Sequence, residues 1–380
     1  MNVLILGLGA QGKATLFDIV QNKDIRNIVV VENNPAQIAG FISRINDSRV
    51  KVTSADANSR EEMLPLLKEA DIIIDLLPTP FRKHIAEMAI EAGTDLVNTS
   101  FRHHIESCAP AAALKGVRII PEAGLDPGID LVLAGNAISR FDKIEEFRSA
   151  CGGVPVKEAC DNPINYKVSW IFEGVLGAYT RPADILVNGE IIHIDGDKIF
   201  DHSEEVELEG IGRFDRYPNG NASSYAALLG ITGQVKDMGR YTLRWPGHSD
   251  FWKKIVALGL ISDDPVLGMS PRKFMSKVLE PRLQYKDDEQ DMVVLINDIT
   301  GIKDGKRKHI TQTLVDKRDL DTGFMAMNRT VGFTASIVAQ MVLSGKIKGK
   351  GILNSAKDIP YDYFIAELVK RGITVEEKEE

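Results

Sequence analysis

Three side chains of this sequence, Asp126, Cys151 and Arg244, are of types that can catalyse a reaction or bind a substrate, and their sequence neighbours suggest such roles. Asp126 lies in the turn Glu-Ala-Gly-Leu-Asp-Pro-Gly at 122–128, where a carboxyl group at a strand end can transfer protons. Cys151 precedes two glycines and carries a thiol, whose thiolate form is a nucleophile. Arg244 lies in Thr-Leu-Arg-Trp-Pro-Gly-His at 242–248, and a guanidinium group is the preferred partner of a carboxylate.

Each of these side chains also has a purely structural interpretation. Asp126 can simply initiate the Pro-Gly turn, and its position alone balances the two interpretations evenly. A free cysteine such as Cys151 is buried by default. An arginine such as Arg244, whose neighbours in space are unknown, is more often part of a surface salt bridge. The residue types alone therefore nominate these three positions without assigning their roles.

The first residues of the chain predict a dinucleotide-binding turn. An apolar run of strand character at 3–6 breaks into Gly7-x-Gly9-x-x-Gly12, and helical sequence follows at 13–21. Gly7 allows the tight turn, Gly9 lets the backbone approach a pyrophosphate, and Gly12 lets helix and strand pack closely. The alternative is a glycine-rich turn without a ligand. The predicted cofactor-binding residues of this loop are Gly7, Gly9, Ala10, Gln11 and Gly12.

The acid that follows the second predicted strand indicates which dinucleotide binds. Glu32 comes directly after the β-branched run at 27–31 and is the acid that is expected about 20 residues after such a glycine motif. A carboxylate there accepts hydrogen bonds from the ribose hydroxyls and repels a 2′-phosphate. Because no arginine immediately follows Glu32, the sequence favours NAD as the cofactor over NADP.

Further strands are predicted in the first third of the chain, at 50–54, 70–77, 95–100 and 116–121. Their carboxyl ends should line the crevice in which a dinucleotide lies. Polar residues at strand ends also cap the next helix, so each position alone is weak evidence. The predicted cofactor neighbours are Asp56, Leu76, Leu77, Pro78 and Thr99. The predicted substrate neighbours are Ser100, Phe101 and Leu125.

The pattern changes after about residue 139, where hairpins replace alternating strands and helices. Asn188-Gly189 lies between two short β-rich runs, and Asp304-Gly305 is a second hairpin candidate. The sequence therefore predicts an α/β protein, with an N-terminal Rossmann domain and a second α/β domain whose sheet is largely antiparallel or mixed. The predicted limits are 1–128 for the dinucleotide-binding domain, 129–345 for a substrate-binding and dimerisation domain, and 346–380 for a C-terminal segment that can pack back on the first domain.

Composition excludes several classes of protein. The chain has 380 residues, of which 44% are hydrophobic and 26% charged, and its net charge is −8 without a basic block, so nucleic acid is not an expected partner. No apolar run approaches the roughly 20 residues that span a bilayer. The three cysteines lack metal-like spacing and are odd in number, which favours a reducing compartment. We therefore expect a cytoplasmic protein without a metal site.

Several segments together resemble the saccharopine dehydrogenase (glutamate-forming) family, also called saccharopine reductases. They are Pro-Glu-Ala-Gly-Leu-Asp-Pro-Gly-Ile-Asp at 121–130, Cys-Gly-Gly-Val-Pro at 151–155, Asp-Asn-Pro-Ile-Asn-Tyr-Lys-Val-Ser-Trp at 161–170, Tyr-Pro-Asn at 217–219 and Thr-Leu-Arg-Trp-Pro-Gly-His at 242–248. The resemblance spans nearly the whole chain. Lysine 6-dehydrogenases share the architecture and several of these segments.

This resemblance implies a homodimer built partly by the second domain's sheet, with an amino-acid substrate bound between the domains. It places Asp126 and Cys151 in the active site and makes Arg244 the residue that holds a substrate carboxylate. The implied reaction oxidises a C–N bond through an imine, most simply converting saccharopine to glutamate and aminoadipate semialdehyde. The alternatives are a lysine 6-dehydrogenase that releases ammonia and a dinucleotide-binding sensor without turnover.

The chain departs from the family pattern at three points. Phe101 stands where the saccharopine enzymes usually carry tyrosine, so a phenolic hydrogen bond is missing. Glu32 indicates NAD, whereas fungal members have a site built for NADP. Part of a helical insertion before Met292 is absent. The cations available for a second substrate carboxylate are Arg213, Arg216 and Lys167.

Overall fold

The computed structural model describes all 380 residues and divides into two compact units. The first comprises Met1–Leu133 and Asn328–Ile373, and the second comprises Ala134–Met327 and Thr374–Glu380. The sequence-based domain limits at 128 and 345 stay a prediction. No helix combines the length and apolar character that crossing a bilayer requires.

The first unit begins as a regular alternation of strands and helices. In chain order its elements are β1 (Asn2–Leu6), α1 (Ala10–Ile19), β2 (Asn27–Val31), α2 (Pro35–Ile45), β3 (Val50–Thr53), α3 (Arg60–Glu69), β4 (Ile72–Asp75), α4 (Arg82–Ala92), β5 (Asp95–Asn98), α5 (Ala109–Lys115), β6 (Arg118–Ile120) and α6 (Ile129–Ile138), the last of which continues into the second unit. The six strands pair in parallel in the order β6-β5-β4-β1-β2-β3. This is the order of a doubly wound dinucleotide-binding sheet, which reverses between β1 and β4.

Apolar sequence explains why these strands lie at the centre of the unit. The side chains of Val3, Leu4, Ile5 and Leu6 in β1 and the three isoleucines that begin β4 are at most 1% exposed. Helices cover both faces of a parallel sheet, so its strands read as continuous hydrophobic runs. The predicted N-terminal Rossmann domain is confirmed.

The second unit is built around long antiparallel strands. Its elements are β7 (Lys143–Pro155), α7 (Phe172–Ala178), β8 (Ala183–Val187), β9 (Glu190–Ile194), β10 (Glu204–Leu208), β11 (Gly212–Pro218), α8 (Ala222–Leu229), β12 (Asp237–Arg244), α9 (His248–Ala257), α10 (Pro271–Leu279), β13 (Asp291–Lys303) and β14 (Lys306–Lys317). Strands β7 and β12 pair in parallel, whereas β7 with β13 and β13 with β14 pair antiparallel. The predicted mixed sheet and both predicted hairpins are confirmed.

The last part of the chain contributes to both units. It forms α11 (Ala326–Asn328), a π-helical turn (Arg329–Phe333), α12 (Thr334–Leu343), β15 (Gly351–Ile352), α13 (Ser355–Asp358), α14 (Tyr361–Lys370) and β16 (Val375–Glu379). Strand β15 pairs in parallel with β6 and extends the first sheet to seven strands. Strand β16 pairs antiparallel with β14 in the second unit.

Candidate cofactor and substrate sites

The glycine loop has the geometry of a pyrophosphate cradle. Gly7 has a φ of +85°, and a Cβ atom there would lie 3.2 Å from Cδ2 of Leu77. A Cβ atom on Gly12 would overlap the carbonyl oxygen of Gly7, so helix α1 and the loop touch at this point. Gly9 caps α1 without a side-chain hydrogen bond, and a Cβ atom on it would meet nothing within 4 Å. The N-terminus of α1 therefore has no side-chain cap and is open at Gly9, which fits the phosphates of a dinucleotide.

Glu32 lies next to this loop. One carboxylate oxygen accepts a hydrogen bond from the Leu8 N–H at 2.9 Å, and the other lies 3.3 Å from the Asn34 N–H. The carboxylate is thus held at the end of β2 beside the glycine loop, in the position expected for the residue that contacts the adenosine ribose.

The turn after β4 is held by a buried ion pair that no sequence motif indicated. Asp75 is fully buried, accepts a hydrogen bond from the Leu77 N–H at 3.0 Å and pairs with Arg82 at 2.9 Å. Burial raises the pKa of Asp75, and the Arg82 charge opposes that rise. The pair fixes residues 76–78, so that Leu77 packs over Gly7. Its signal in the sequence was an acid that ends an isoleucine run.

The segments after β5 and β6 are bound to each other. The Ala123 N–H donates to the Asn98 carbonyl at 3.0 Å, and the Glu122 N–H donates to the Ser100 carbonyl at 3.0 Å. A Cβ atom on Gly124 would lie 3.6 Å from Cβ of Thr99. These contacts bring Thr99 and Ser100 to the turn that contains Leu125 and Asp126. The ring of Phe101, which follows these residues, stacks on His103 with ring centroids 5.6 Å apart. The predicted cofactor neighbour Asp56 lies elsewhere, just after β3, where it accepts a hydrogen bond from the Asn58 N–H.

The turn at 121–130 presents a single partly exposed carboxyl group. Every residue of this range is buried except Asp126, which is partly exposed. Two further acids support the turn from inside: Glu122 is 3% exposed, and Asp130 accepts a hydrogen bond from the Gly128 N–H at 2.7 Å. Burial raises the pKa of Asp130 to about 8, with a contribution from the nearby Glu122 charge. The arrangement leaves Asp126 as the carboxyl group of this turn that a ligand can reach.

In the second unit, Arg244 lies at the end of β12 and makes no ion pair with a carboxylate. Its Nη1 atom donates to the backbone carbonyls of Leu243 at 2.9 Å and Gly153 at 3.3 Å. Its Nε atom is buried without a hydrogen-bond partner. The guanidinium carbon lies 5.4 Å from the ring centroid of Tyr166. A fixed cation of this kind retains donors for a ligand.

The tyrosines and the histidine around Arg244 carry no charge at neutral pH. Tyr166, Tyr179, Tyr217 and His248 are each at most 2% exposed, and the Tyr179 hydroxyl is 2.8 Å from Nε2 of His248. Burial raises the pKa of Tyr217 to about 12 and raises that of Tyr166 as well. Burial, together with the charge of Arg244, holds the pKa of His248 well below its usual value. Asp215 is the in-register neighbour of Arg244 on β11, but its carboxylate accepts a hydrogen bond from the Ser249 N–H at 2.9 Å and forms no ion pair with Arg244. The guanidinium therefore has no ion-paired protein carboxylate, which favours an anionic ligand.

Cys151 lies on the strand next to Arg244. It is 8% exposed on β7 and pairs in register with Thr242, two residues before Arg244 on β12. Residues of a strand that are two positions apart share one face, and in-register neighbours share it too. Cys151 and Arg244 consequently lie on the same face of the second sheet.

The three other cations considered for a second carboxylate are already paired. Lys167, which is 2% exposed, contacts Asp161 at 2.8 Å and Glu289 at 2.6 Å. Arg216 pairs with Glu204 at 2.6 Å, and Arg213 contacts Glu205 at 3.3 Å. None of the three presents an uncompensated charge comparable to that of Arg244.

Comparison with known proteins identifies the family. Residues 3–120 match the saccharopine dehydrogenase NADP binding domain, and residues 124–373 match the saccharopine dehydrogenase C-terminal domain. The chain belongs to the saccharopine dehydrogenase family. It is accordingly an oxidoreductase of the saccharopine dehydrogenase type, as the sequence motifs predicted.

Individual relatives agree with this assignment. The chain is 28% identical to saccharopine dehydrogenase [NADP(+), L-glutamate-forming] of Saccharomyces cerevisiae over 99% of both chains. It is 26% identical to the mitochondrial alpha-aminoadipic semialdehyde synthase of Rattus norvegicus, covering 98% of this chain and 47% of that protein. The apo structure of the yeast saccharopine dehydrogenase superposes with a TM-score of 0.89 at 27% identity, covering 100% of this chain and 99% of that one.

These comparisons bear on the cofactor as well. The matching N-terminal domain is an NADP-binding domain, and the yeast relative carries NADP(+) in its name. They establish the dinucleotide class and point to NADP, and they give no support to the NAD preference predicted from Glu32.

Proposed function

We propose that this protein oxidises the secondary amine of a lysine-derived amino acid, converting saccharopine and water to glutamate and aminoadipate semialdehyde. The observation that carries the proposal is Arg244, whose guanidinium has neutral tyrosines and a neutral histidine around it and no ion-paired protein carboxylate. In a family of saccharopine dehydrogenases, a carboxylate of the amino-acid substrate is the natural counter-ion.

The chain's own residues bind the substrate and move its protons. A bound nicotinamide cofactor would supply the acceptor for the hydride that leaves the carbon carrying the nitrogen. Arg244 holds a substrate carboxylate and thereby fixes the reacting carbon. Asp126 takes the amine proton as the C=N bond forms and releases it to solvent, and the carboxylate then accepts a proton from the water that attacks this carbon. Asp126 returns the proton taken from water to the nitrogen, and the C–N bond breaks as the hydroxyl group loses its proton to Asp126, which releases glutamate and the aldehyde. Cys151 contributes a thiol on the sheet face that carries Arg244.

For the cofactor we propose NAD rather than NADP. Glu32 supports this choice because its carboxylate is held beside the glycine loop by the Leu8 N–H, where it would repel a 2′-phosphate. The names of the relatives favour NADP, so the preference of this chain would be a difference within the family.

A second candidate is an L-lysine 6-dehydrogenase, which oxidises the same carbon and releases ammonia. The observation that favours it is the lack of an uncompensated second cation among Lys167, Arg213 and Arg216, since saccharopine carries two more carboxylates than lysine. Phe101, which lacks a phenolic hydroxyl, agrees with a smaller substrate.

A substrate panel tests the proposal. Reduction of NAD and of NADP is followed at 340 nm with saccharopine and, separately, with lysine. We expect turnover with saccharopine and NAD. Turnover with lysine alone would establish the second candidate, and cofactor binding without reduction by either substrate would identify a sensor.

We also propose a cytoplasmic homodimer formed through the second sheet. Strands β7, β13 and β14 align Arg148, Asp298 and Thr311 in one row, and each of these residues is only partly buried. A sheet face that the chain itself covers only in part is available to a second copy, and the resemblance to the family implies such a dimer. Sedimentation equilibrium should give twice the chain mass, whereas a monomer at micromolar concentration would contradict the proposal.

A further inference from the structure

A side chain from the far end of the sequence contacts the glycine loop within the first unit. The amide nitrogen of Asn328 donates to the side-chain carbonyl of Gln11 at 3.1 Å, across 317 residues of sequence. Asn328 is 7% exposed, whereas Gln11 is partly exposed as the second residue of α1. The hydrogen bond thus joins a buried anchor to a side chain at the predicted pyrophosphate site.

The segment that carries Asn328 is fitted tightly against α1. A Cβ atom on Gly332 would lie 2.6 Å from the carbonyl oxygen of Gln11 and 2.7 Å from Cβ of Ala14, so only glycine permits this approach. The Thr15 hydroxyl donates to the Gly332 carbonyl at 2.9 Å. Residues 329–333 form a π-helical turn, a feature that is frequent at functional sites.

The hydrogen bond from Asn328 determines which polar atom of the Gln11 side chain is left to face the cofactor. Its carbonyl oxygen accepts the hydrogen bond from Asn328, so the oxygen is turned toward the protein. Its amide nitrogen, with two N–H donors, has no protein acceptor and lies at the same helix end as the N–H groups of Ala10 and Gln11 themselves. Donors at this position complement a pyrophosphate, whereas a carbonyl oxygen would repel it.

We propose that Asn328 is a positioning residue that orients the Gln11 amide to donate a hydrogen bond to the cofactor pyrophosphate. The proposal deepens the dinucleotide site and depends on it, but it does not depend on the identity of the substrate. It gives the C-terminal part of the chain a role in cofactor affinity that the glycine motif alone does not indicate.

The chain supplies a matched control at the other end of the same helix. The side-chain amide of Asn22, just past the end of α1, donates to the side-chain carbonyl of Gln340 in α12 at 3.0 Å. This is again an amide–amide hydrogen bond between the α1 region and the C-terminal helices, but it is remote from the glycine loop. Its loss should affect stability alone.

The test measures the dissociation constants of NADH and NADPH by fluorescence titration of the full chain, well below the melting temperature of each variant. We expect Asn328→Ala and Gln11→Met each to weaken binding about five-fold, which is the value of one neutral hydrogen bond. The double variant should bind no more weakly than Gln11→Met, because Asn328 acts only through Gln11. Asn22→Ala should bind as tightly as the unchanged protein.

Two charge-bearing variants separate orientation from packing. Asn328→Asp keeps the size of the side chain but can only accept, so Gln11 should turn its oxygen to the pyrophosphate and binding should weaken more than in Asn328→Ala. Gln11→Glu keeps the acceptor for Asn328 but places a negative charge at the phosphates, and binding should weaken more than ten-fold at low salt.

Other outcomes of these measurements would overturn the inference or the proposed function. Unchanged dissociation constants in Asn328→Ala and Asn328→Asp, with lowered melting temperatures, would show a structural contact only and overturn the inference. Equal binding by Gln11→Glu and Gln11→Met would also overturn it. If the unchanged protein bound neither dinucleotide, the proposed function itself would fail along with the inference. Tight binding by an inactive protein would leave the inference standing and refute only the proposed reaction.

Discussion

At the scale of the residue, the charge around a side chain decides what it can bind. Arg244 and Lys167 are both held within the second unit, yet only Lys167 has carboxylate partners. The type of these residues, which the sequence gives directly, did not separate them. Their partners come from distant segments of the chain, and the folded structure was needed to see which charge remains uncompensated.

Replacement of Arg244 tests the carboxylate-binding role. Arg244→Lys keeps the charge but loses the planar pair of donors, so KM for the substrate should rise about 10- to 100-fold, as expected for hydrogen bonds to a charged group. Steady-state kinetics measures the change. Arg213→Lys, at an exposed arginine that contacts Glu205, serves as the control and should leave KM unchanged. An unaltered KM in Arg244→Lys would mean that another residue holds the carboxylate.

Glu32 is the residue to change for cofactor choice. Glu32→Ala removes the negative charge beside the glycine loop, and the ratio of kcat/KM for NAD to that for NADP should fall about ten-fold or more. Glu61→Ala removes an exposed charge elsewhere in the same unit and should not alter the ratio. A ratio unchanged by Glu32→Ala would remove the ribose assignment.

Asp126 is the residue to change for proton transfer. Asp126→Asn keeps the shape of the side chain and removes its basicity, so kcat should fall at least about 100-fold. The acidic limb of the pH–rate profile should disappear while the dissociation constant of the cofactor stays the same. Normal turnover across the pH range would show that Asp126 is a turn residue only.

At the scale of the element, the helices, strands and hairpins predicted from contiguous residues were correct. The strand–glycine–helix pattern, the apolar strands and the two hairpins are properties of contiguous residues, and the structure contains them within a few residues of their predicted limits. The sequence did not predict that two buried acids lie beneath the 121–130 turn. The sequence shows three acids within that range, but only packing reveals that Glu122 and Asp130 are buried beneath it.

The buried carboxyl group of Asp130 in this turn makes stability depend on pH. Burial raises the pKa of Asp130 in the folded protein to about 8, so the folded state holds a proton that the unfolded chain releases near pH 4. The free energy of unfolding should therefore fall as pH rises from about 4 to about 8, by up to about 1.4 kcal/mol per pH unit from this group. In Asp130→Asn, which cannot ionise, this part of the fall should be absent.

Urea unfolding at pH 6 and pH 8 measures the difference. The slope of the Asp130→Asn variant, subtracted from that of the unchanged protein, isolates the contribution of the carboxyl group. Parallel pH dependence in the two proteins would show that Asp130 is ionised in the folded state.

At the scale of the whole molecule, the return of the C-terminal segment completes the first unit. Arg371 forms two hydrogen bonds to the buried Asp18 of α1, at 2.6 and 2.8 Å, and the hydroxyl of Ser336 donates to the same carboxylate at 2.5 Å. Strand β15 adds to the edge of the first sheet. The helix that carries the glycine loop is thus held by residues more than 300 positions away along the chain.

Removal of Arg371 tests how much this return stabilises the protein. Arg371→Met leaves the Asp18 carboxylate buried without its cation, which should lower the free energy of unfolding by about 3 kcal/mol. Lys370→Met removes an exposed neighbouring cation that contacts only Glu367 and should cost less than about 1 kcal/mol. Urea unfolding compares the two, and equal losses would contradict the buried role of Arg371.

The sequence by itself determined the α/β class, the strand–glycine–helix turn with Gly7, Gly9 and Gly12, and the family, because these depend on contiguous residues and local backbone demands. The tertiary structure alone decided that Arg244 lacks a counter-ion, that Asp130 is buried and that Asn328 contacts Gln11. Each of these depends on contacts between segments far apart in sequence, and no local pattern encodes which distant side chain fills the space beside a given residue.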